Sequence, residues 1–400
     1  MFCIGRSNSE ALKMKRENSI DIVRGIVMII MALDHVRDLM HVDAITQNPT
    51  DLATTTPLLF FTRWITHLCA PTFVFLAGTS VYLSLKSKNN LQEVRQHLIK
   101  RGFWLIFLEF TVVNFGLFFD IGFHTLLFQV IATIGFGFII LGLLLKIPAK
   151  QLGITGLIII FCHNLLSLIP FAEGSVFKAV LAPFFSPIAV PLFAGKVFVM
   201  GYPPIPWLGI MLTGFGFGRC FETEKEERKK LFIKLGFGAL GLFILLRFIN
   251  IYGDPVLWST QKDAVFTFLS FMNVTKYPPS LLYCLATLGI MLLLLAFADQ
   301  FNNGIKKVTV VYGRVPLFYF IIHFYLIHTI TLIMLFAQGF DWPQLEFATG
   351  TFGTPKNMES GLPLWAIYLI WISVVAILYK PCVWYGAYKA KKSNWWLRYV

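Results

Sequence analysis

The chain has 400 residues, 56% of them apolar, 16% aromatic and only 14% charged, against about 25% charged in a soluble domain. A mean hydropathy of +0.69 excludes a soluble globular protein and predicts an all-α polytopic membrane protein. The formal charge of +13 would point to nucleic acid in a soluble chain, so its distribution has to be settled first.

Apolar runs of about 20 residues are long enough to span a bilayer as helices. Ten are predicted, near 20–42, 64–84, 100–119, 124–145, 152–171, 203–220, 231–251, 280–299, 314–337 and 363–387. Pro148, Pro203 and Pro204, Pro278 and Pro279, and Pro316 mark boundaries between them. With the N-terminus inside, most of the 34 basic residues fall in cytoplasmic segments, as short inner loops require. The charge is therefore topology, and nucleic acid is not an expected partner; the lipid bilayer is. Both termini are expected to be cytoplasmic, with 172–202, 252–279 and 338–362 outside. The division is an N-terminal segment 1–19, a transmembrane domain 20–387 and a basic tail 388–400. No small-residue cleavage site follows the first apolar run, which argues against a secretory signal; Met14 is an alternative start.

The six cysteines, at 3, 69, 162, 220, 284 and 382, form no cluster at metal spacing, so no metal is expected. The G-F-G-A-L-G run at 236–241 lacks the strand that a dinucleotide fingerprint needs. It reads instead as small-residue helix packing, as does G-F-G-F-G at 214–218.

Ionisable residues inside spanning helices are the strongest site signal. In D-I-V-R-G-I-V-M-I-I-M-A-L-D-H-V-R-D, Arg24 and His35 are eleven residues apart, within about 20° of one face at roughly 100° per residue. Asp21 can pair with Arg24. Asp34 is adjacent to His35 and points away, so Asp38 or Glu109 is the expected orienting carboxylate. The alternative is that D-H-V-R-D is the solvated helix end, which leaves Arg24 unexplained. In the second helix Arg63 and His67 share a face, and His67 reaches nearly the depth of His35. Glu109 lies near the midplane of the third helix and is expected to meet Arg24, a histidine or water; an interhelical hydrogen bond is the structural alternative. In the ninth, Arg314 stands at the inner end, and His323 and His328 are about 140° apart, so at most one faces a common cavity. Asn273, Lys276 and Tyr277 precede the eighth helix; Tyr202 and Trp207 flank the start of the sixth.

The ordered set D-I-V-R-G, R-W-I-T-H-L-C-A-P-T-F-V-F-L-A-G, Y-P-P-I-P-W-L-G, K-Y-P-P-S-L-L-Y and G-R-V-P-L-F-Y-F resembles bacterial relatives of the heparan-alpha-glucosaminide N-acetyltransferase catalytic domain, over about 20–390. Arg24 and His35 also fit the R-x10-H signature of the broader transmembrane acyltransferases. The resemblance implies a cell-membrane (inner-membrane) enzyme that moves an acetyl or other short acyl group from cytoplasmic acyl-CoA to an amine or hydroxyl of a saccharide-type acceptor at the outer face. No permanently bound cofactor is implied; acetyl-CoA is a donor substrate. The animal lysosomal enzymes align an asparagine with His35 and carry a later histidine, to which His41 is the nearest match here; this argues against a heparan-type acceptor. Acyl transfer needs a base and an oxyanion partner. His35 is the expected base, supported by Asp38 and Glu109. Arg24, Arg314 and His323 are expected on the donor side, and Arg63, His67, Asn273, Lys276 and Tyr277 on the acceptor side. A homo-oligomer is compatible with the sequence. The competing functions are a proton-coupled or solute transporter, which internal repeats would favour and none is seen, and a membrane sensor or scaffold, which needs no buried charged stripe.

Overall fold

The computed structural model describes residues 17–168, 176–348, 350–356, 358–392 and 394–399. Met14 and the N-terminal basic residues Arg6, Lys13, Lys15 and Arg16 lie outside them. Helix α1 (Asn18–Met40) is buried along most of its length. It packs against α2 (Pro57–Thr66), α3 (Cys69–Lys88), α12 (Leu281–Phe297), α13 (Asn303–Arg314), α14 (Pro316–Ala337) and α15 (Leu364–Lys391).

The second predicted span begins earlier than its apolar run. Thr56 accepts the Leu59 N–H as N-cap and Pro57 follows at the first helical position, the arrangement that starts a helix most cheaply. A break at His67 and Leu68 then separates α2 from α3. The third span also starts early: Asn90 caps α4 (Leu91–Leu108). A π-helical turn at Glu109–Val113 leads into the short α5 (Asn114–Phe118); such turns often mark functional sites.

The fourth span is where prediction and structure part. Residues 125–128 form strand β1 (Thr125–Phe128), and the helix α6 (Val130–Leu144) begins only afterwards. β1 pairs in parallel with β3 (Val197–Met200), which pairs antiparallel with β2 (Ile188–Pro191). T-L-L-F and V-F-V-M suit a pleated surface. The Asn114 side chain closes the edge, donating to the Leu127 carbonyl at 2.9 Å and accepting its N–H at 2.8 Å. The described residues are thus mostly helical, consistent with an all-α membrane protein, with one small three-stranded sheet among them.

The remaining helices are α7 (Ala149–Cys162), α8 (Val176–Phe185), α9 (Pro204–Phe217), α10 (Lys225–Ile249) and α11 (Ala264–Met272). Among the described residues, seven helical stretches are long and apolar enough to cross a membrane: Pro57–Lys88, Leu91–Phe118, Ala149–Leu166, Lys225–Ile249, Leu281–Gln300, Pro316–Ala337 and Leu364–Lys391. The other three predicted crossings correspond to α1, which carries five charged residues, and to the short α6 and α9.

Small residues bring backbones together at several crossings, most closely at two. A Cβ on Gly25 would lie 1.8 Å from the Thr309 carbonyl oxygen, and one on Gly313 1.8 Å from that of Asp21, so α1 and α13 touch main chain to main chain. At the α3–α9 crossing, Gly78 faces the Met211 carbonyl and Gly214 the Phe75 carbonyl in the same way. The G-F-G-F-G run is packing, as expected. Of the glycines in the 236–241 run, Gly236 meets a neighbouring helix, at Gly289 and Leu293, whereas Gly238 and Gly241 face open space.

Candidate active site

His35 and His323 meet at the centre of the bundle. Nδ1 of His35 lies 2.6 Å from Nε2 of His323, and the His35 ring stacks on Phe324 with centroids 4.4 Å apart. On the far side of His323, Nδ1 is 2.5 Å from the Phe320 carbonyl and 3.1 Å from that of Tyr319. Carbonyls only accept, so in the uncharged pair the His323 proton is on Nδ1 and its Nε2 offers a lone pair. His35 must then donate from Nδ1, which leaves its own Nε2 as the free basic nitrogen. The sequence placed His323 with the donor; the structure makes it the partner of His35. His328 turns elsewhere, donating from Nδ1 to Leu117 O at 2.9 Å and stacking on Phe119, in line with the expected divergence of the two.

Neither expected carboxylate holds His35. Asp38 is bound to Arg37 at 2.5 Å. Glu109 is fully buried and accepts the Ala132 N–H at 2.9 Å, so it caps the start of α6. A cap there was invisible as long as the helix was thought to start at 124. Asp34, set aside on the argument that it points away from His35, is instead the hub. It binds Arg63 and Arg37 (2.8 Å to the latter) and accepts from Thr66 Oγ1 at 2.9 Å. Its counter-cations come partly from α2, which a one-helix argument cannot see.

Two cavities lie near the imidazole pair, neither of them lined by its rings. The inner one, of about 250 Å³, lies between α1, α3, α4, α6 and α14. Its polar lining is Arg24, Ser80, Ser84, His97 and Arg101. Arg24 donates to Ser80 Oγ at 2.9 Å and lies 3.6 Å from Asp21. Arg101 sits 5.6 Å from the Phe138 ring centre. Its Nε is buried without a hydrogen-bond partner among the described residues, and it was not foreseen from sequence. Arg314 does not line this cavity. It is half exposed, 3.8 Å from Asp21 on that carboxylate's other oxygen, in a separate basic groove with Lys306 and Lys307.

The outer cavity, of about 340 Å³, brings together all five residues expected on the acceptor side: Arg63, His67, Asn273, Lys276 and Tyr277. His67 is 3% exposed and its Nδ1 has no partner among the described residues. Asn273 donates to Thr50 O at 3.1 Å, and Lys276 lies 5.0 Å from the Tyr277 ring centre and 5.9 Å from that of Tyr202. Burial pushes the Tyr202 hydroxyl well above its ordinary range, and its neighbour Tyr277 adds to this. For Tyr277 burial acts in the same sense, but the charges of Lys276 and Arg63 outweigh it and lower that hydroxyl. The loop carrying these residues is held by two buried charges. Arg247 donates to the carbonyls of Phe271, Val256, Ser270 and Asn273 at 2.6 to 2.9 Å, and Asp254 accepts from Thr275 and Ser280.

His35 stands between the two spaces. Phe320, which lines the inner cavity, packs edge-on against its ring at 6.5 Å. Arg63, which lines the outer one, binds the residue before it. Fold and site thus define a helical membrane protein with an imidazole pair near two cavities, the inner one largely apolar with a few basic and hydroxyl groups. The chain belongs to the heparan-alpha-glucosaminide N-acetyltransferase catalytic family, which it matches over residues 16–248, and membership implies a membrane acetyltransferase. The match includes Arg24, His35, Arg63, His67 and Glu109, whereas Asn273, Lys276, Tyr277, Arg314 and His323 lie beyond it. No curated protein matches the chain.

Proposed function

We propose that the protein takes a short acyl group from acyl-CoA in the inner cavity, entered from the cytoplasm, and passes it to an amine or hydroxyl of a saccharide-type acceptor in the outer cavity. The observation that carries this reading is the direction of the His35–His323 hydrogen bond, which leaves His35 Nε2 as a basic nitrogen between the two spaces. His35 takes the acceptor's proton as the new C–N or C–O bond forms at the thioester carbon. The tetrahedral intermediate then expels the thiolate, and the proton on His35 leaves with it as the CoA thiol. When His35 becomes charged, its Nδ1–H bond to His323 strengthens, as charge-assisted bonds do.

Arg24 and Arg101 supply two guanidiniums to the donor's phosphates or pantetheine arm, and Arg314 helps gather anionic groups at the inner face. On the acceptor side, Lys276, Asn273 and the unpartnered nitrogen of His67 offer hydrogen bonds to a sugar. The enzyme sits in the cell membrane with both termini cytoplasmic. The test is transfer of radiolabelled acetyl from acetyl-CoA to candidate amino sugars and glycans by purified protein. His35→Ala is expected to lose transfer by about 10²–10⁴-fold, the range of a general base. Undiminished transfer in that variant removes His35 from the role, and absence of any acyl-CoA binding by the unmodified protein removes the enzyme reading.

A further inference from the structure

The inner cavity changes character along its length. On α3 the lining runs from Ser84 to Phe73, eleven residues or about 16 Å of helix. Over that distance the polar groups Ser84, His97, Ser80, Arg101 and Arg24 all lie toward one end. The opposite end, at Phe73, Leu105, Val130, Ile131 and Phe320, is apolar. A donor with phosphates at one extremity and an acyl group at the other fits this gradient in one orientation only, since burying phosphate among aromatic and aliphatic side chains is prohibitive. On α1 the cavity follows Arg24 and Met28, the face that continues to His35, and it stops before the histidine. The side chain at that stop is Phe320, 4% exposed, with its ring edge-on to His35 and against Phe324 at 5.2 Å.

Resting on the acyltransferase reading, we infer that Phe320 sets the length of the acyl group: its ring closes the apolar end of the donor cavity beside His35 and leaves room for a short chain only. The same carbonyl that orients His323 belongs to Phe320, so the residue's main chain serves the base while its side chain bounds the substrate. Each additional methylene must displace this ring or its packed neighbours, and a closed core resists that.

The test needs no acceptor. Binding of CoA and of its non-transferable S-ethyl, S-butyl and S-hexyl thioethers is measured on purified full-length protein, unmodified and with Phe320→Leu, Phe320→Ala or Phe320→Trp. The unmodified protein should bind the hexyl compound at least tenfold more weakly than the ethyl one. Relative to CoA on the same protein, Phe320→Leu and Phe320→Ala should flatten that series, and Phe320→Trp should weaken the ethyl compound. An equal decline in all proteins, or none in the unmodified one, overturns the role of Phe320. Failure of the unmodified protein to bind CoA or any thioether overturns the acyltransferase reading and this inference with it.

Discussion

At the scale of single residues, the direction of one hydrogen bond carries most of the chemistry. His323 can accept from His35 only because two main-chain carbonyls occupy its other nitrogen. Removing that acceptor frees the His35 ring to adopt the wrong tautomer. His323→Ala is therefore expected to lower kcat by about 10²-fold, within the range for general-base catalysis, with little change in acyl-CoA KM. His323→Gln, whose side-chain oxygen still accepts, should recover a substantial part. Equal losses in the two variants would mean that the ring matters only as packing. Activity should rise with pH through a single deprotonation, and His323→Ala should shift that limb, which steady-state rates across pH will show. Asp34 sits under different demands. Asp34→Asn strands Arg63 without a counter-charge and leaves Arg37 with Asp38 alone, which should cost about 3–5 kcal/mol, read as a lower Tm in detergent and a poorer folded yield. Most of the polar side chains were legible in sequence as anomalies in or beside apolar helices, Arg101 excepted, and the structure brings those expected on the outer side into one cavity. Their partners were not legible, because angular arguments along one helix cannot find Asp34–Arg63 or His35–His323, contacts 29 and 288 residues apart in the chain.

At the scale of elements, α13 shows how a helix too polar to span can still position the site. It is amphipathic, with Lys306 and Lys307 toward the basic groove, and its backbone lies against α1 through Gly25 and Gly313. It leads through Val315 directly into α14, which carries His323. Gly25→Leu must separate the two backbones, so it should destabilise by about 1–3 kcal/mol or more. Thermal unfolding is the first measurement. The loss of transfer activity should exceed the drop in folded fraction, because His323 moves with α13. The sequence showed most helices, because apolar runs and prolines reveal them. It missed β1 because T-L-L-F adjoins the α6 run with only Gln129 between them. The strand is created by a partner some seventy residues later, a tertiary preference that no local pattern carries.

At the scale of the whole molecule, one cavity reaches Phe320 against His35 and the other reaches Arg63 against Asp34, and the proposed orientation puts the first toward the cytoplasm. A cysteine placed at Lys88 is expected to react with an impermeant maleimide only when the cytoplasmic face is open; labelling of intact cells would invert the topology. The seven long apolar stretches reach their membrane on composition alone. Helix α1 does not, since it carries Asp21, Arg24, Asp34, Arg37 and Asp38, and each charge near a helix centre costs about 2.5–3.5 kcal/mol on insertion scales. Its missing counter-charge, Arg63, is made later, at the head of the next stretch. Biogenesis should therefore run out of simple order. A nascent chain truncated after Gln47 should remain exposed to protease on the ribosome-bound side, whereas one truncated after Asn90 should hold α1 in the bilayer, with Asp34 and Arg63 entering as a neutral pair.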